Sequence, residues 1–387
     1  MKRWFFAFLP LILLGVLIAL FLAKGPLGLF KAILPPIQEL SVERIVLKPD
    51  EILLHVVNDG PDPITIAQVM VNGAFWKFEM KPNSTLSRLG RGRIRIPYPW
   101  VEGDMEHITL VTRDGVTFEA VVEVATVTPT PDRRYLSTFA LLGVYVGVIP
   151  VFLGLLWLPF LKTLRSGWYG FFLALTVGLL VFLGVDSLVE AIETTEKAPE
   201  TFQGMGVLTF GLSLSFLSLS AISRRSQMRA KEKGEGYQRL VLAFLIAFGI
   251  GIHNLGEGLA IGGAYAVGEV ALGALLVLGF MIHNVTEGVA IVAPIARIGP
   301  SLKHLVLMGL LAGIPTILGT WIGGFSYSAI WAVLFLAIGA GAVFQVVFEI
   351  VRQMGKSTSG GLVTFGNVAG FLTGLVIMYV TGLFVAA

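Results

Sequence analysis

Long apolar runs dominate the last two thirds of the chain. A helix needs about 20 consecutive apolar residues to cross the hydrocarbon core of a membrane. Eight runs of this kind follow residue 131, and we predict that each is a transmembrane helix. They cover approximately residues 136–160, 168–190, 204–223, 240–264, 270–295, 302–322, 330–351 and 362–385. The pattern predicts a mainly α membrane protein with an eight-helix bundle over residues 135–387.

A further apolar run, residues 4–23, stands at the N-terminus behind Lys2 and Arg3. It predicts an N-terminal transmembrane helix within residues 1–30. A secretory signal peptide also has a basic start, but this apolar run is long and no clean A-x-A cleavage site follows it. The sequence favours an uncleaved anchor over a cleaved signal peptide.

Between this run and the bundle, short segments alternate apolar and polar residues, which is typical of half-buried β-strands. Turn signals such as N-D-G-P at residues 58–61 and R-D-G at 113–115 separate the segments. About seven strands in roughly 90 residues predict a small extracytoplasmic β-sandwich over residues 37–131. With His55 and His107 but no cysteine, this region lacks the ligand set of a blue-copper site. We expect a structural or interaction domain, and a protein partner for it is left open.

Composition agrees with a membrane location and narrows the chemistry. Hydrophobic residues make up 55% of the chain and charged residues 14%, whereas soluble proteins carry about 25% charged residues. The net charge is only +3, and the basic residues stand in short clusters, so nucleic acid is not an expected partner. The absence of cysteine excludes disulfides, thiolate zinc sites and iron–sulfur clusters. Any metal must be bound by histidine, carboxylate or amide groups.

The connections between the eight runs alternate in charge. One set holds most of the basic residues, namely Lys162, Arg165, Arg224, Arg225, Arg229, Lys231, Lys233, Arg239, Arg297, Lys303, Arg352 and Lys356. The positive-inside rule makes this set cytoplasmic. We therefore expect a multi-pass protein of the plasma or inner membrane, with the β-domain and the C-terminus outside. Residues 223–239 are expected to be a basic loop that meets anionic lipid headgroups.

One motif occurs twice, on adjacent predicted helices. The fourth run carries I-H-N-L-G-E-G-L-A-I from residue 252, and the fifth carries I-H-N-V-T-E-G-V-A-I from residue 282. Ionisable side chains inside a membrane persist mainly where they face a cavity or a partner. His at i and Glu at i+4 share one helical face, with the Asn at its edge. Two such helices offer six side chains: His253, Asn254, Glu257, His283, Asn284 and Glu287.

The chemistry of this set favours a metal or proton site. Imidazole with carboxylate suits Zn²⁺, and also Fe²⁺, Mn²⁺ or Cd²⁺, whereas the absence of sulfur disfavours Cu(I). A single copy of the motif could serve only to hold helices together by hydrogen bonds. Its duplication on neighbouring spans favours a metal or proton site. The glycine after each glutamate allows either the close approach of another backbone or a loosening of the helix that exposes carbonyl groups.

Two weaker pairs lie in other runs. Asp186 and Glu190, spaced i, i+4 in the second run, are either an outer metal site or a solvated helix end. Gln345 and Glu349, in the seventh run, are either inner metal ligands or residues at a helix end.

At these residues the sequence resembles the ZIP (Zrt-, Irt-like) family of divalent metal permeases, its bacterial branch most closely, over about residues 136–387. The family carries paired motifs like H-N-x-P-E-G on its fourth and fifth helices, and Gly256 and Thr286 here replace the proline. The segments D-S-L-V-E-A from residue 186 and A-G-A-V-F-Q-V-V-F-E from residue 340 resemble its second-helix and seventh-helix motifs. Ile314 departs from the family, since bacterial relatives usually have glutamate before this proline.

The resemblance implies a permease that imports divalent transition metal ions, zinc first among them, into the cytoplasm. It implies the six motif residues as ligands, with Glu287 bridging two subsites, no enzymatic activity and no prosthetic group. A homodimer is left open. One alternative is a membrane-embedded metallohydrolase, which needs an open coordination position and a general base, but no H-E-x-x-H is present. The other is a metal sensor or scaffold, which does not need six converging polar side chains.

Overall fold

The computed structural model describes residues 9, 12–20, 37–268, 270–357 and 362–386. Eight helices in this part are long and apolar enough to cross a membrane, which confirms the number predicted for the bundle. The predicted N-terminal anchor is not among them. Residues 12–20 are helical, and most of the remaining residues of 1–30 lie outside the described part of the chain. The domain boundaries at 1–30, 37–131 and 135–387 stay predictions.

The region before the bundle is built from nine antiparallel strands in two sheets. The strands are β1 (Leu40–Lys48), β2 (Glu51–Asn58), β3 (Ile64–Val71), β4 (Ala74–Trp76), β5 (Glu79–Lys81), β6 (Thr85–Leu86), β7 (Arg91–Ile96), β8 (Glu106–Thr112) and β9 (Thr117–Val122). One sheet has the order β1-β2-β7-β5 and the other β4-β3-β8-β9, with β6 paired to β3. About seven strands were expected, and β4, β5 and β6 are too short to show an alternating pattern.

Side-chain alternation explains how the two sheets pack. Successive residues of a strand point to opposite faces, so Ile94 and Ile96 of β7 are buried between exposed arginines. They share one apolar core with Ile64 of β3 and Ile108 of β8. The two sheets therefore form the predicted sandwich, called the β-domain below.

The bundle contains helices α1 (Arg133–Lys162), α2 (Ser166–Glu196), α3 (Gly204–Lys231), α4 (Glu235–Val267), α5 (Val270–Val292), α6 (Leu302–Ser326), α7 (Ala329–Ser357) and α8 (Phe365–Ala386). The basic loop expected at residues 223–239 is wrong, because α3 continues to Lys231 and α4 begins at Glu235. Hydropathy marks only the part of a helix inside the membrane. Arg, Gln, Met, Lys and Glu are good helix formers, so the helices continue beyond it.

Glycines allow several helices to pack backbone to backbone. A Cβ atom on Gly258 of α4 would lie 2.2 Å from the Thr316 carbonyl oxygen of α6. A Cβ atom on Gly288 of α5 would lie 2.2 Å from the Val151 carbonyl oxygen of α1. These are the glycines that follow the two motif glutamates, so the close approach of another backbone is found at both. They join α4 to α6 and α5 to α1.

The β-domain packs on one end of the bundle. Arg44 of β1 donates a hydrogen bond of 2.9 Å to the Phe325 carbonyl oxygen at the end of α6. Thr201, between α2 and α3, donates to the backbone and side-chain oxygens of Asp59. The basic connections lie at the opposite end, where the Arg239 guanidinium donates to the Tyr169 hydroxyl.

We predict that Gly154→Ala destabilises the bundle, because the new methyl group would lie 2.1 Å from the Val285 carbonyl oxygen of α5. Overpacking of this kind costs about 1–3 kcal/mol. The thermal midpoint of the purified protein in detergent should fall. Gly366→Ala is the matched control, since nothing lies within 4 Å of the position its Cβ would take. Equal midpoints for the two variants would contradict close packing of α1 on α5.

Candidate metal centre

Helices α4 and α5 bring all six motif side chains into the middle of the bundle, where each is buried. Glu257 Oε1 lies 3.1 Å from His253 Nε2, one turn earlier on α4. The same oxygen lies 2.5 Å from His283 Nε2 on α5. One ligand atom from each of these three residues lies within 4.8 Å of the others, so the trio could hold a metal ion.

The two asparagines cross-link the motif helices. Asn254 Nδ2 on α4 donates to Glu287 Oε2 on α5 over 3.0 Å. Asn284 Nδ2 on α5 donates to Glu257 Oε2 on α4, also over 3.0 Å. Each motif thus holds the carboxylate of the other, and the sequence repeat becomes a reciprocal pair of contacts. Glu257 lies between the two histidines, and Glu287 lies outside the trio, so its bridging role stays a prediction.

Each asparagine also donates to a backbone carbonyl of the helix packed behind it. Asn254 reaches the Ala312 oxygen of α6 over 3.2 Å, and Asn284 reaches the Val146 oxygen of α1 over 3.0 Å. Val146 stands four residues before Pro150, which has no N–H to donate to it. A π-helical turn, Val144–Val148, also interrupts α1 here. The proline therefore leaves a carbonyl oxygen available to Asn284.

Three oxygen atoms of the site are buried without a hydrogen-bond partner: Asn254 Oδ1, Asn284 Oδ1 and Glu287 Oε1. A buried acceptor left unsatisfied costs about 1–3 kcal/mol. Oxygen and imidazole nitrogen are the donor atoms that zinc accepts in the absence of sulfur. The donor set therefore fits a divalent cation.

Ser187 of α2 is a contact of the site that the sequence did not reveal. Its hydroxyl lies 3.1 Å from His253 Nδ1, and the residue is only 3% exposed. Metal-binding histidines usually use their second ring nitrogen for such a hydrogen bond, which fixes the ring orientation. The available signal was a polar residue in an apolar run, directly after Asp186.

The outer pair, Asp186 and Glu190, lines a cavity of about 870 Å³ that also reaches His283. Gln345 and Glu349 are buried on α7, and Glu349 lies 3.9 Å from Arg352. Neither pair belongs to the trio. The cavity thus joins the outer pair to the site.

Toward the basic end, the site is closed by apolar packing. Ile250 of α4, Val289 of α5 and Val346 of α7 belong to one buried core on that side. A small gap beside Glu287, lined by α2, α5 and α8, holds no space for a water molecule. Among the described residues, the access that the structure shows is therefore from the end that carries the β-domain.

Comparison with known protein families identifies a match. No curated protein matches the chain. The model of the family described as ZIP zinc transporter matches residues 218–382, which is less than half of the chain. This region contains both motif helices, whereas the β-domain, α1 and α2 precede it. Members of that family are transporters and not enzymes, which argues against the metallohydrolase. Residues 218–382, with all six buried motif side chains, form a domain of the ZIP zinc transporter family.

Proposed function

We propose that the protein is a permease for divalent transition metal ions, with Zn²⁺ as the first expected substrate. The same nitrogen and oxygen ligands accept Fe²⁺, Mn²⁺ and Cd²⁺. The observation that carries the proposal is the buried trio of His253, Glu257 and His283, surrounded by three unpartnered oxygen atoms. One member of the trio, His283, also lines a cavity through which an ion could reach the site.

We propose import as the direction of transport. The basic connections are cytoplasmic by the positive-inside rule, so the β-domain lies outside the plasma or inner membrane. The cavity reaches His283 from the β-domain side, while apolar packing closes the opposite side. An ion would therefore bind from outside and be released into the cytoplasm.

The six motif residues contribute to metal binding in different ways. Removing water from a divalent ion is costly, and the carboxylates of Glu257 and Glu287 offset this cost with negative charge. The histidines supply nitrogen ligands, and the Oδ1 atoms of Asn254 and Asn284 have lone pairs free to coordinate the cation. Asp186 and Glu190 serve as ligands for the ion as it enters from outside. Gln345 and Glu349 serve as ligands as it leaves toward the cytoplasm.

Release requires the closed side to open, and the glycine contacts indicate which helices move together. They join α4 to α6 and α5 to α1, so these four helices form one unit that carries the six ligands. A separate contact joins α2 to α8, where a Cβ atom on Gly178 would lie 2.2 Å from the Phe371 carbonyl oxygen. An elevator-like shift of the first unit past the second would open the site inward. Such a shift would break the hydrogen bond between Ser187 and His253.

Uptake into proteoliposomes loaded with a zinc-sensitive dye tests the proposal. We expect zinc to enter with the wild-type protein. His253→Ala and Glu287→Ala should each lower the initial rate at least about tenfold, because even residues behind a metal's ligands contribute that much to affinity.

His304→Ala is the control for the histidine variant. This half-buried histidine pairs with Ser301 near the basic end, far from the motif residues, and its loss should leave uptake intact. Failure of zinc, iron and manganese to enter with the folded wild-type protein would contradict the proposal.

Ser187→Ala tests how His253 is held. The alanine removes the partner of Nδ1, so we expect the KM for zinc to rise about 10-fold or more. Ser187→Thr keeps a hydroxyl and should restore part of the affinity. Ser213→Ala, at an exposed position on α3, is the control. A purely structural role would instead lower the amount of folded protein and leave KM unchanged.

A further inference from the structure

The β-domain forms one side of the cavity that leads to the metal centre. The cavity, of about 870 Å³, is lined by β1 and β9 on one side and by α2, α4, α5, α7 and α8 on the other. On the bundle side its lining includes His283, a member of the buried trio. A single space thus extends from the β-domain to the site, and we call it the vestibule.

Strand β9 and the two residues after it line one side of the vestibule, over residues 119–124. Ala120 and Val122 point into the core of the sandwich. Glu119, Val121 and Glu123 alternate with them and are exposed, so theirs are the side chains that are open to the vestibule. The outward face of the β9 segment is therefore turned toward the bundle.

Strand β1 contributes a second part of the same wall. Its pairing with β2 shifts register between Val42 and Arg44, which leaves Glu43 as an extra residue. A bulge of this kind bends a strand and redirects its side chains. As a result the consecutive residues Val42, Glu43, Arg44 and Ile45 all line the vestibule.

The vestibule is predominantly acidic. Its lining includes six carboxylates, from Glu43, Glu119, Glu123, Asp186, Glu190 and Glu193, and two basic groups, from Arg44 and Lys197. A cleft lined mostly by one sign of charge concentrates ions of the opposite sign. The charge therefore suits a hydrated cation and disfavours an anion.

Three separate contacts keep the β-domain over this opening. Arg44 is bonded to the end of α6, and Asp59 to Thr201 between α2 and α3. At the end of α4, a Cβ atom on Gly268 would lie 2.7 Å from the Val124 carbonyl oxygen. The domain is thus docked on three parts of the bundle and is not merely joined to it by the chain before α1.

We propose that the β-domain is the outer wall of the metal's path, so that a hydrated divalent cation reaches His283 by passing between β9 and α2. This inference rests on the proposed permease function. It assigns to β1 and β9, which lie outside the matched family region, a direct part in the access of metal to the bundle.

Two single-cysteine variants test this path, one on β9 and one in the turn before it, since the chain has no cysteine of its own. Val121 is 45% exposed and lines the vestibule, whereas Val116 is 39% exposed and does not line it. We expect a bulky dye-linked methanethiosulfonate to label both Val121→Cys and Val116→Cys in proteoliposomes. Zinc uptake should be lost only in labelled Val121→Cys, and a reductant that removes the dye should restore it.

A small methyl methanethiosulfonate should leave uptake by Val121→Cys intact, because it adds little volume. Val124→Cys, at an uncharged and 41% exposed position that also lines the vestibule, serves if Val121→Cys itself does not fold. Unchanged uptake after complete labelling of Val121→Cys would overturn the inference, as would equal loss in labelled Val116→Cys or no reaction at Val121→Cys. Absence of uptake by the unlabelled wild-type protein would instead overturn the proposed function.

Discussion

The bundle depends on a reciprocal hydrogen-bond pair at its centre, in which each motif asparagine holds the glutamate of the other motif helix. Buried carboxylates inside a membrane are costly unless they are paired and hydrogen-bonded. The pair sets the register of α4 against α5, because a shift of either helix would separate both contacts at once. The remaining Nδ2 protons reach Ala312 of α6 and Val146 of α1. Glycines, among them Gly258 and Gly288, allow those backbones to come so close.

The same hydrogen-bond network does not satisfy all of its polar atoms. It leaves oxygen atoms of Asn254, Asn284 and Glu287 without partners, although all three residues are buried. A core selected for stability alone would satisfy or replace such groups, since each unsatisfied acceptor is destabilising. A bound divalent cation would accept these lone pairs and neutralise the carboxylates together. These unpaired oxygen atoms are therefore the groups that the proposed binding of a divalent cation would use.

Much of this arrangement could be predicted from the sequence because it is local or repeated. Eight apolar runs gave the eight helices, and the i, i+4 spacing placed His253 beside Glu257 on one face. The contact of Ser187 with His253 joins residues 66 positions apart, so no local spacing encodes it. The Val146 carbonyl belongs to the backbone, so no side-chain pattern marks it as the acceptor for Asn284. The only sequence signal was Pro150, which has no N–H to occupy that carbonyl oxygen. The vestibule arises from the docking of two domains, which hydropathy does not describe.

Docking of the β-domain has a consequence for any movement of the bundle. Arg44 binds the end of α6, which belongs to the unit that carries the ligands, whereas Asp59 binds the connection after α2. A shift of α6 relative to α2 therefore has to break one of these contacts or move the domain. A hydrogen bond of this kind contributes about 0.5–1.5 kcal/mol, or up to about 3 kcal/mol when one partner is charged. Contacts of this strength would hold the domain over the vestibule and would still be broken by the proposed elevator-like shift. In the proposed mechanism, the β-domain would therefore line the path for metal without locking the helices that shift.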